Sequence, residues 1–320
     1  MELKLLKRED LDNEYGKGNY FTVSPTQLDV WFTCHYKWKL TYLDGFQAWP
    51  GGRTNVMLQG TIFHQFMEAT YAFFIAEGSG IRPLTEEEII GIKDPIEKQY
   101  TRYEEIILFY NAYKVWTRYI RWAYKSDDFI PLLTEQELFV RVTEKKGKPV
   151  FLHGFLDLVA ERKGELGVVD HKTYNSEKGR WSAALVNFDM QLAMYMVMLW
   201  KIGIKPEWGC INGVNTFAYK NLGSEPDSKL FNREFTYKDE RQLQGYLDNI
   251  MALIDEMFDP KFYPKRAKKD CEHCGYSQVC DMELRGLDST QFLQLRHTKE
   301  DTLSDDIDID LASLVSAEDA

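Results

Sequence analysis

The run Gly154-Phe-Leu-Asp157-Leu-Val-Ala-Glu-Arg-Lys163-Gly164-Glu-Leu-Gly-Val-Val-Asp170-His-Lys172-Thr173 decides the fold. Apolar residues mass or alternate on both sides of Lys163-Gly164 as they do in strands, and those two residues suit a two-residue hairpin turn. With that pair in the loop, Arg162 faces Glu165, and the same register sets Asp157 opposite Asp170. Cross-strand partners have Cβ atoms roughly 4.5–5.5 Å apart, close enough for two carboxylates to share one divalent cation. Lys172 lies two residues beyond Asp170 and projects from the same face. Leu156, Leu158, Val168 and Val169 make the hairpin too apolar for an exposed edge. Inside a sheet, paired carboxylates repel, and one must protonate unless a cation neutralises them. That argument favours a metal site over a solvated, charged hairpin. Two acids and a lysine on one patch equip a chain for metal-assisted hydrolysis of a phosphodiester.

Two further motifs flank the hairpin in order: Gly60-Thr61-Ile62-Phe63-His64 upstream and Gln191-Leu-Ala-Met-Tyr195 downstream. Together the set resembles the PD-(D/E)XK nuclease superfamily, and within it the RecB-like exonuclease branch. The resemblance implies an α/β fold with a restriction-endonuclease-like mixed sheet flanked by helices. It implies catalytic roles for Asp157, Asp170 and Lys172, with Gln191 and Tyr195 contacting the catalytic centre and the nucleic-acid strand. His64 becomes a third metal ligand beside Asp157 and Asp170, and the main-chain carbonyl of His171 a fourth, holding Mg²⁺ or Mn²⁺. Independently, Thr61 reads as the cap of a helix reaching about Ile75, with Ile62, Phe63, Phe66, Met67, Thr70 and Phe74 as its buried stripe. Glu68 shares a face with His64 and is read as orienting it. Gln191 and Tyr195 stand one turn apart, while Leu192, Met196 and Leu199 face a core.

Cysteine is the second signal. Of five cysteines, Cys271, Cys274 and Cys280 cluster near the end and Cys34 stands far upstream. No signal peptide or long apolar span opens the chain, so a cytoplasmic location (a host's cytoplasm for a phage protein), with reduced thiols and no membrane partner, is expected. Three close thiols in such a compartment point to bound metal. In RecB-like nucleases with an iron–sulfur cluster, one cysteine precedes the nuclease core and three follow it. AddB-type helicase-nucleases and the exonucleases of CRISPR spacer acquisition show this pattern. The segment Ser24-Pro-Thr-Gln-Leu28-x5-Cys34 is similar to theirs, with His35 where proline is usual. The resemblance thus assigns Cys34, Cys271, Cys274 and Cys280 to a [4Fe–4S] cluster. Four thiolates also suit Zn²⁺, and His35 and His273 keep that alternative open. The long span from Cys34 to Cys271 favours the cluster, because zinc ribbons build from two local knuckles. Cys210 reads as a buried core thiol in a strand.

The formal net charge of −11 argues at first against nucleic acid. However, residues 300–320 hold eight acids and no Lys or Arg, which leaves only −3 on residues 1–299. Lys114, Arg118, Arg121 and Lys125 recur along a helix expected over about Pro95–Lys125, interleaved with tyrosines and tryptophans. Lys178 and Arg180 lie in a polar loop after the catalytic hairpin. These six are candidate DNA contacts, since phosphate tracking beside aromatic platforms holds single strands or free ends; a solvated face with inward-packed aromatics is the plainer alternative. The expected organisation is one nuclease domain over 1–299, with a helical insertion at about 76–130 and a cysteine cap at 261–285. The lead-in 1–23 reads as polar, 44–58 as a loop, and 300–320 as an acidic disordered tail open to a protein partner. No Walker-type phosphate loop is present, so a fused helicase motor is not expected. The functional expectation is a metal-dependent DNA exonuclease for recombination, repair or processing. Its alternative is a non-cleaving or partner-activated iron–sulfur DNA-binding module.

Overall fold

The computed structural model describes residues 6–46, 55–126, 128–174, 180–216, 223–259, 261–265 and 269–297. The 44–58 loop therefore falls largely outside the described residues, and the acidic tail and Lys178 fall wholly outside. The chain divides into two compact units, Met1–Leu28 with Arg53–Pro260 and Asp29–Gly52 with Lys261–Ala320.

The first unit is a mixed α/β structure around a six-stranded sheet. It opens with α1 (Arg8–Tyr15) and β1 (Phe21–Val23), so the lead-in is more than polar chain. Leu11 explains why: it is fully buried against Phe139 and Phe151. Helix α2 (Pro25–Thr33) starts in this unit and ends in the second, to which α3 (His35–Trp38) belongs; the first unit resumes with α4 (Asn55–Glu77), α5 (Glu86–Glu97) and α6 (Tyr103–Ser126). Next are β2 (Phe129–Lys145), β3 (Lys148–Arg162) and β4 (Glu165–Tyr174). The unit is completed by α7 (Ala183–Asn187), α8 (Met190–Lys201), β5 (Trp208–Asn215), α9 (Asp227–Leu230), β6 (Phe231–Tyr237) and α10 (Glu240–Phe258).

The hairpin forms in the expected register, from Arg162↔Glu165 to Leu158↔Val169. Lys163 (φ +56°) and Gly164 (φ +84°) both take positive φ, as a type I′ turn requires. Lys146 and Gly147 repeat this device between β2 and β3, with φ of +51° and +72°. Strand β4 pairs in parallel with β5, which pairs antiparallel with β6; β1 runs parallel to the start of β3. Central β4 and β5 are buried along most of their length, as strands covered on both faces must be.

Three helical expectations need correction. Thr61 is not a cap: α4 begins at Asn55, and the Thr61 hydroxyl donates to the Met57 carbonyl inside the helix. The segment from Pro95 to Lys125 is two helices, because α5 stops at Glu97 and α6 starts only at Tyr103. The apolar spacing of Leu28, Trp31, Phe32 and Tyr36 predicts a single helix carrying Cys34; instead Cys34 separates α2 from α3, and its sulfur accepts from the Lys37 N–H at 3.5 Å and caps α3.

The stripe on α4 is buried as expected: Ile62, Phe63, Phe66, Met67, Thr70 and Phe74 are all inaccessible or nearly so. Phe66 stacks on Trp116 of α6, with ring centroids 4.8 Å apart. Phe109, Ala112, Val115, Trp116 and Tyr119 thus belong to the main core, with Leu158, Val169 and Cys210 of the sheet. Each large apolar side chain buried there stabilises the fold by about 1.5–3 kcal/mol relative to exposure.

In the second unit a π-helical turn (Lys39–Leu43), a 3₁₀ turn (Lys269–His273), α11 (Ser277–Leu284) and α12 (Thr290–His297) surround a small core of Leu40, Tyr276, Val279 and Leu293. The Tyr36 hydroxyl donates to Glu283 at 2.7 Å, and the Tyr36 N–H bonds the Pro264 carbonyl at 3.3 Å. These bonds join stretches more than 200 residues apart in sequence.

Candidate active site

The β3–β4 ladder stops one pair short of the two acids, and the reason is chemical. Asp157 Oδ2 accepts the main-chain N–H of His171 at 2.6 Å, so a side chain takes the place of a strand carbonyl. The strands part there, and Asp157 and Asp170 occupy the mouth of the split. Asp170 is 1% exposed. Its Oδ1 accepts from Gln191 Nε2 at 3.0 Å, and its Oδ2 pairs with Lys172 Nζ at 2.8 Å. Lys172 Nζ also donates to Gln191 Oε1 at 2.6 Å, while Gln191 Nε2 reaches the Tyr195 hydroxyl at 3.0 Å. The Gln191 amide is therefore fixed by charge on both ends: its oxygen faces an ammonium and its nitrogen a carboxylate.

Glycine permits this approach. A Cβ at Gly154 would come 2.6 Å from the Tyr195 ring, and one at Gly60 would come 2.9 Å from Thr173 Oγ1. The glycines that open two of the motifs thus let α8 and α4 close on β3 and β4. Helix α8 starts where it does because Asp189 caps it, accepting the Leu192 N–H at 2.6 Å.

His64, on α4, brings Nδ1 to 3.9 Å from Asp157 Oδ2. Burial holds its imidazole below the usual histidine range, which keeps it neutral, the form that binds metal. Glu68, expected to orient it, is exposed and makes no hydrogen bond to His64 among the described residues. Burial pushes the Asp157 carboxyl up despite the His171 N–H and Lys172. It does the same at Asp170, with Asp157 adding to it and Lys172 opposing it. Burial alone would lower Lys172, but the Asp170 carboxylate outweighs it and holds the ammonium above its ordinary value.

One residue was not foreseen. Glu135 of β2 lies next to Asp157 in register, between the pairs Thr134↔Leu158 and Gln136↔Leu156. Ligand atoms of His64, Glu135 and Asp157 all lie within 4.8 Å of one another. Burial, with the charges of Asp157, Glu68 and Asp170, pushes the Glu135 carboxyl up to about 7. Nothing in the spacing of the sequence marks it, since it reads as an ordinary strand residue. Carboxylate oxygens with one imidazole suit a hard divalent cation such as Mg²⁺ or Mn²⁺.

Behind the site, His171 points away from the acids into a buried polar network. Asn212 Oδ1 accepts from Arg233 Nε at 3.0 Å, which leaves its Nδ2 to donate to His171 Nδ1 at 2.7 Å and to the Tyr119 hydroxyl at 3.0 Å. Tyr71 stacks on the His171 ring at 5.4 Å and meets the Tyr119 hydroxyl at 3.1 Å. Burial keeps His171 neutral. The network holds the main chain whose N–H engages Asp157.

The basic residues are dispersed in role. Lys114, Arg121 and Lys125 are exposed on α6. Arg118 instead donates to Asp227 Oδ1 at 2.7 Å and to the Glu225 carbonyl at 2.6 Å. Arg180 is half-buried, and Trp116 and Tyr119 are core residues.

In the second unit, Cys34, Cys271, Cys274 and Cys280 line one cavity of about 360 Å³, together with Tyr36, Lys37, Lys265 and His273. Burial pushes the Cys280 thiol up to about 11; Lys265 opposes the shift, and Cys274 and Cys34 add to it. His35 stacks on Trp31 with centroids 3.7 Å apart. Cys210 is fully buried in β5.

No curated protein matches this chain. Among solved structures, one titled "Crystal structure of SSO0001" aligns at 16% identity and a TM-score of 0.31, covering 68% of this chain and 84% of its own. Among the described residues, no helix is long and apolar enough to cross a membrane. The family model of the PD-(D/E)XK nuclease superfamily matches residues 22–281, a span that holds His64, Glu135, Asp157, Asp170, Lys172 and all five cysteines, and the chain belongs to that superfamily.

Proposed function

We propose that this chain is a metal-dependent DNA exonuclease that hydrolyses phosphodiester bonds during recombination, repair or processing of DNA. The observation that carries the reading is the bonded trio Asp170, Lys172 and Gln191, with Asp157 held beside it by the His171 N–H at the mouth of a split strand pair. His64, Asp157, Asp170 and the His171 carbonyl would hold Mg²⁺ or Mn²⁺. A bound divalent cation supplies a lowered water pKa and offsets charge on the leaving oxygen. Lys172 Nζ, already between two oxygen acceptors, orients the attacking water and stabilises the phosphorane-like transition state. Gln191 keeps Lys172 aimed, and Tyr195 keeps Gln191 in place. Exposed Lys114, Arg121 and Lys125 are the candidate phosphate contacts, together with Arg180 and Lys178.

The four cysteines would carry a [4Fe–4S] cluster, with Zn²⁺ as the alternative. All four line one cavity. The cluster's role would be structural, because it ties residue 34 to residues 271–280 across a long loop.

End-labelled linear single- and double-stranded DNA, beside a closed circle, tests the reading in Mn²⁺ or Mg²⁺. Cleavage of linear DNA alone supports exonucleolytic attack, and the position of the label reports its direction. Cutting of the circle would replace "exonuclease" with "endonuclease". Failure of cluster-loaded protein to cut any substrate would reduce the chain to a binding or partner-activated module.

A further inference from the structure

We propose that Glu135 is a ligand of a second divalent-cation position, framed by His64, Glu135 and Asp157, beside the one Asp157 and Asp170 make with the His171 carbonyl. The proposal rests on the nuclease reading above, in which Asp157 is already a metal ligand, and revises it at one point: His64 serves the second ion in place of the first.

Three elements, α4, β2 and β3, converge to bring an imidazole nitrogen and two carboxylates within 4.8 Å of one another. An octahedral ion with bonds of about 2.1 Å needs neighbouring ligands roughly 3 Å apart and opposite ones roughly 4 Å apart. The present spacing is therefore slightly open and needs only a small closure. Asp170 is engaged on the other side, by Gln191 at 3.0 Å and Lys172 at 2.8 Å. Asp157 stands between the two groups, as a bridging carboxylate in a two-ion site does, where the ions lie about 3.5–4 Å apart.

Charge points the same way. Glu135, Asp157 and Asp170 crowd one pocket, and Lys172 pairs with Asp170 alone. Among the described residues, the Glu135 carboxylate has neither a cation nor a hydrogen-bond donor, although it is half-buried. Its neighbour His64 is a nitrogen donor, so the group is not merely a patch of acids. The backbone at Glu135 has φ +46° inside the stretch Leu133–Arg141, over which the ladder with β3 keeps one register. An L-residue takes that conformation at a cost, and it is the turn of chain that aims this side chain at Asp157 and His64.

Calorimetric titration of Mn²⁺ into the metal-stripped, full-length chain tests the proposal, using wild type, Glu135→Gln and Asp170→Asn. The expected result is two ions on wild type and one on Glu135→Gln, with the lost site weakened at least tenfold. Asp170→Asn should also bind one, and its remaining site should depend on Glu135 in the double variant. Two ions at unchanged affinity on Glu135→Gln would overturn the proposal, as would a single wild-type ion that this variant retains. No Mn²⁺ on folded wild type would instead overturn the nuclease reading itself. Glu135→Gly supplies an independent readout, because glycine accepts the positive φ without strain. It should raise the melting midpoint of metal-free protein and shrink the Mn²⁺-induced rise. A lower metal-free midpoint would make Glu135 a structural residue and overturn the assignment.

Discussion

The acid–lysine site and the cysteine cavity are both multi-residue sites, yet they are built in opposite ways. Asp157, Asp170, Lys172 and Gln191 sit on two paired strands and one helix; hydrogen bonds already join the last three, and the His171 N–H holds Asp157. The cysteines come from a helix cap at residue 34, a 3₁₀ turn, the residue just after that turn and the short α11, and they share a cavity rather than a bond network. A site on a sheet inherits its geometry from the register of the strands. A site on short turns takes much of its order from what it binds.

The largest effect expected from this contrast is at the thiols. Cys274→Ser should abolish the visible absorbance of an iron–sulfur protein and leave most of the chain insoluble. Colourless, soluble wild-type protein carrying zinc would reverse the choice of metal while leaving the contrast intact. Chelating Mg²⁺ from wild type should, by comparison, leave the fold in place.

A smaller effect sharpens the description of the acid site. In the folded protein Asp157, Asp170 and Glu135 titrate above the ordinary carboxylate range. The native state therefore keeps protons that the unfolded chain has already lost, so stability of the metal-free protein falls as pH rises between roughly pH 4 and 7. Asp170→Asn should remove part of that penalty. It should stabilise metal-free protein at neutral pH by on the order of 1–3 kcal/mol, with the gain vanishing toward pH 4. Denaturant melts across that range check it. A variant less stable than wild type at pH 7 would mean that the Lys172 pair outweighs burial.

The hairpin that carries Asp157 and Asp170 was legible because it is local. Lys163-Gly164 fixes the turn, the turn fixes Arg162↔Glu165, and constant register carries that pairing up to the acids. Gln191 and Tyr195 were singled out by the family resemblance, and their spacing of one helical turn puts them on one face of α8. Glu135 was not, since its direction depends on a positive φ that no spacing rule predicts. The network of His171, Asn212, Tyr119 and Arg233 was hidden for a different reason: its members are spread over four elements and meet only after the sheet forms. Thr61 misled because threonine caps helices well, but here the apolar run before it continues the helix. Arg118 shows the limit of reading a charge stripe, since one of its four members is committed to Asp227.

The central claim is that Lys172, held between Asp170 and Gln191, serves chemistry rather than folding. Single-turnover cleavage of linear DNA with saturating Mn²⁺ tests this most directly, comparing wild type with Lys172→Ala at matched melting midpoints and DNA affinities. The account predicts a fall in the cleavage rate on the order of 10²–10³-fold or more with binding nearly unchanged; a well-folded Lys172→Ala that cuts at the wild-type rate would contradict it.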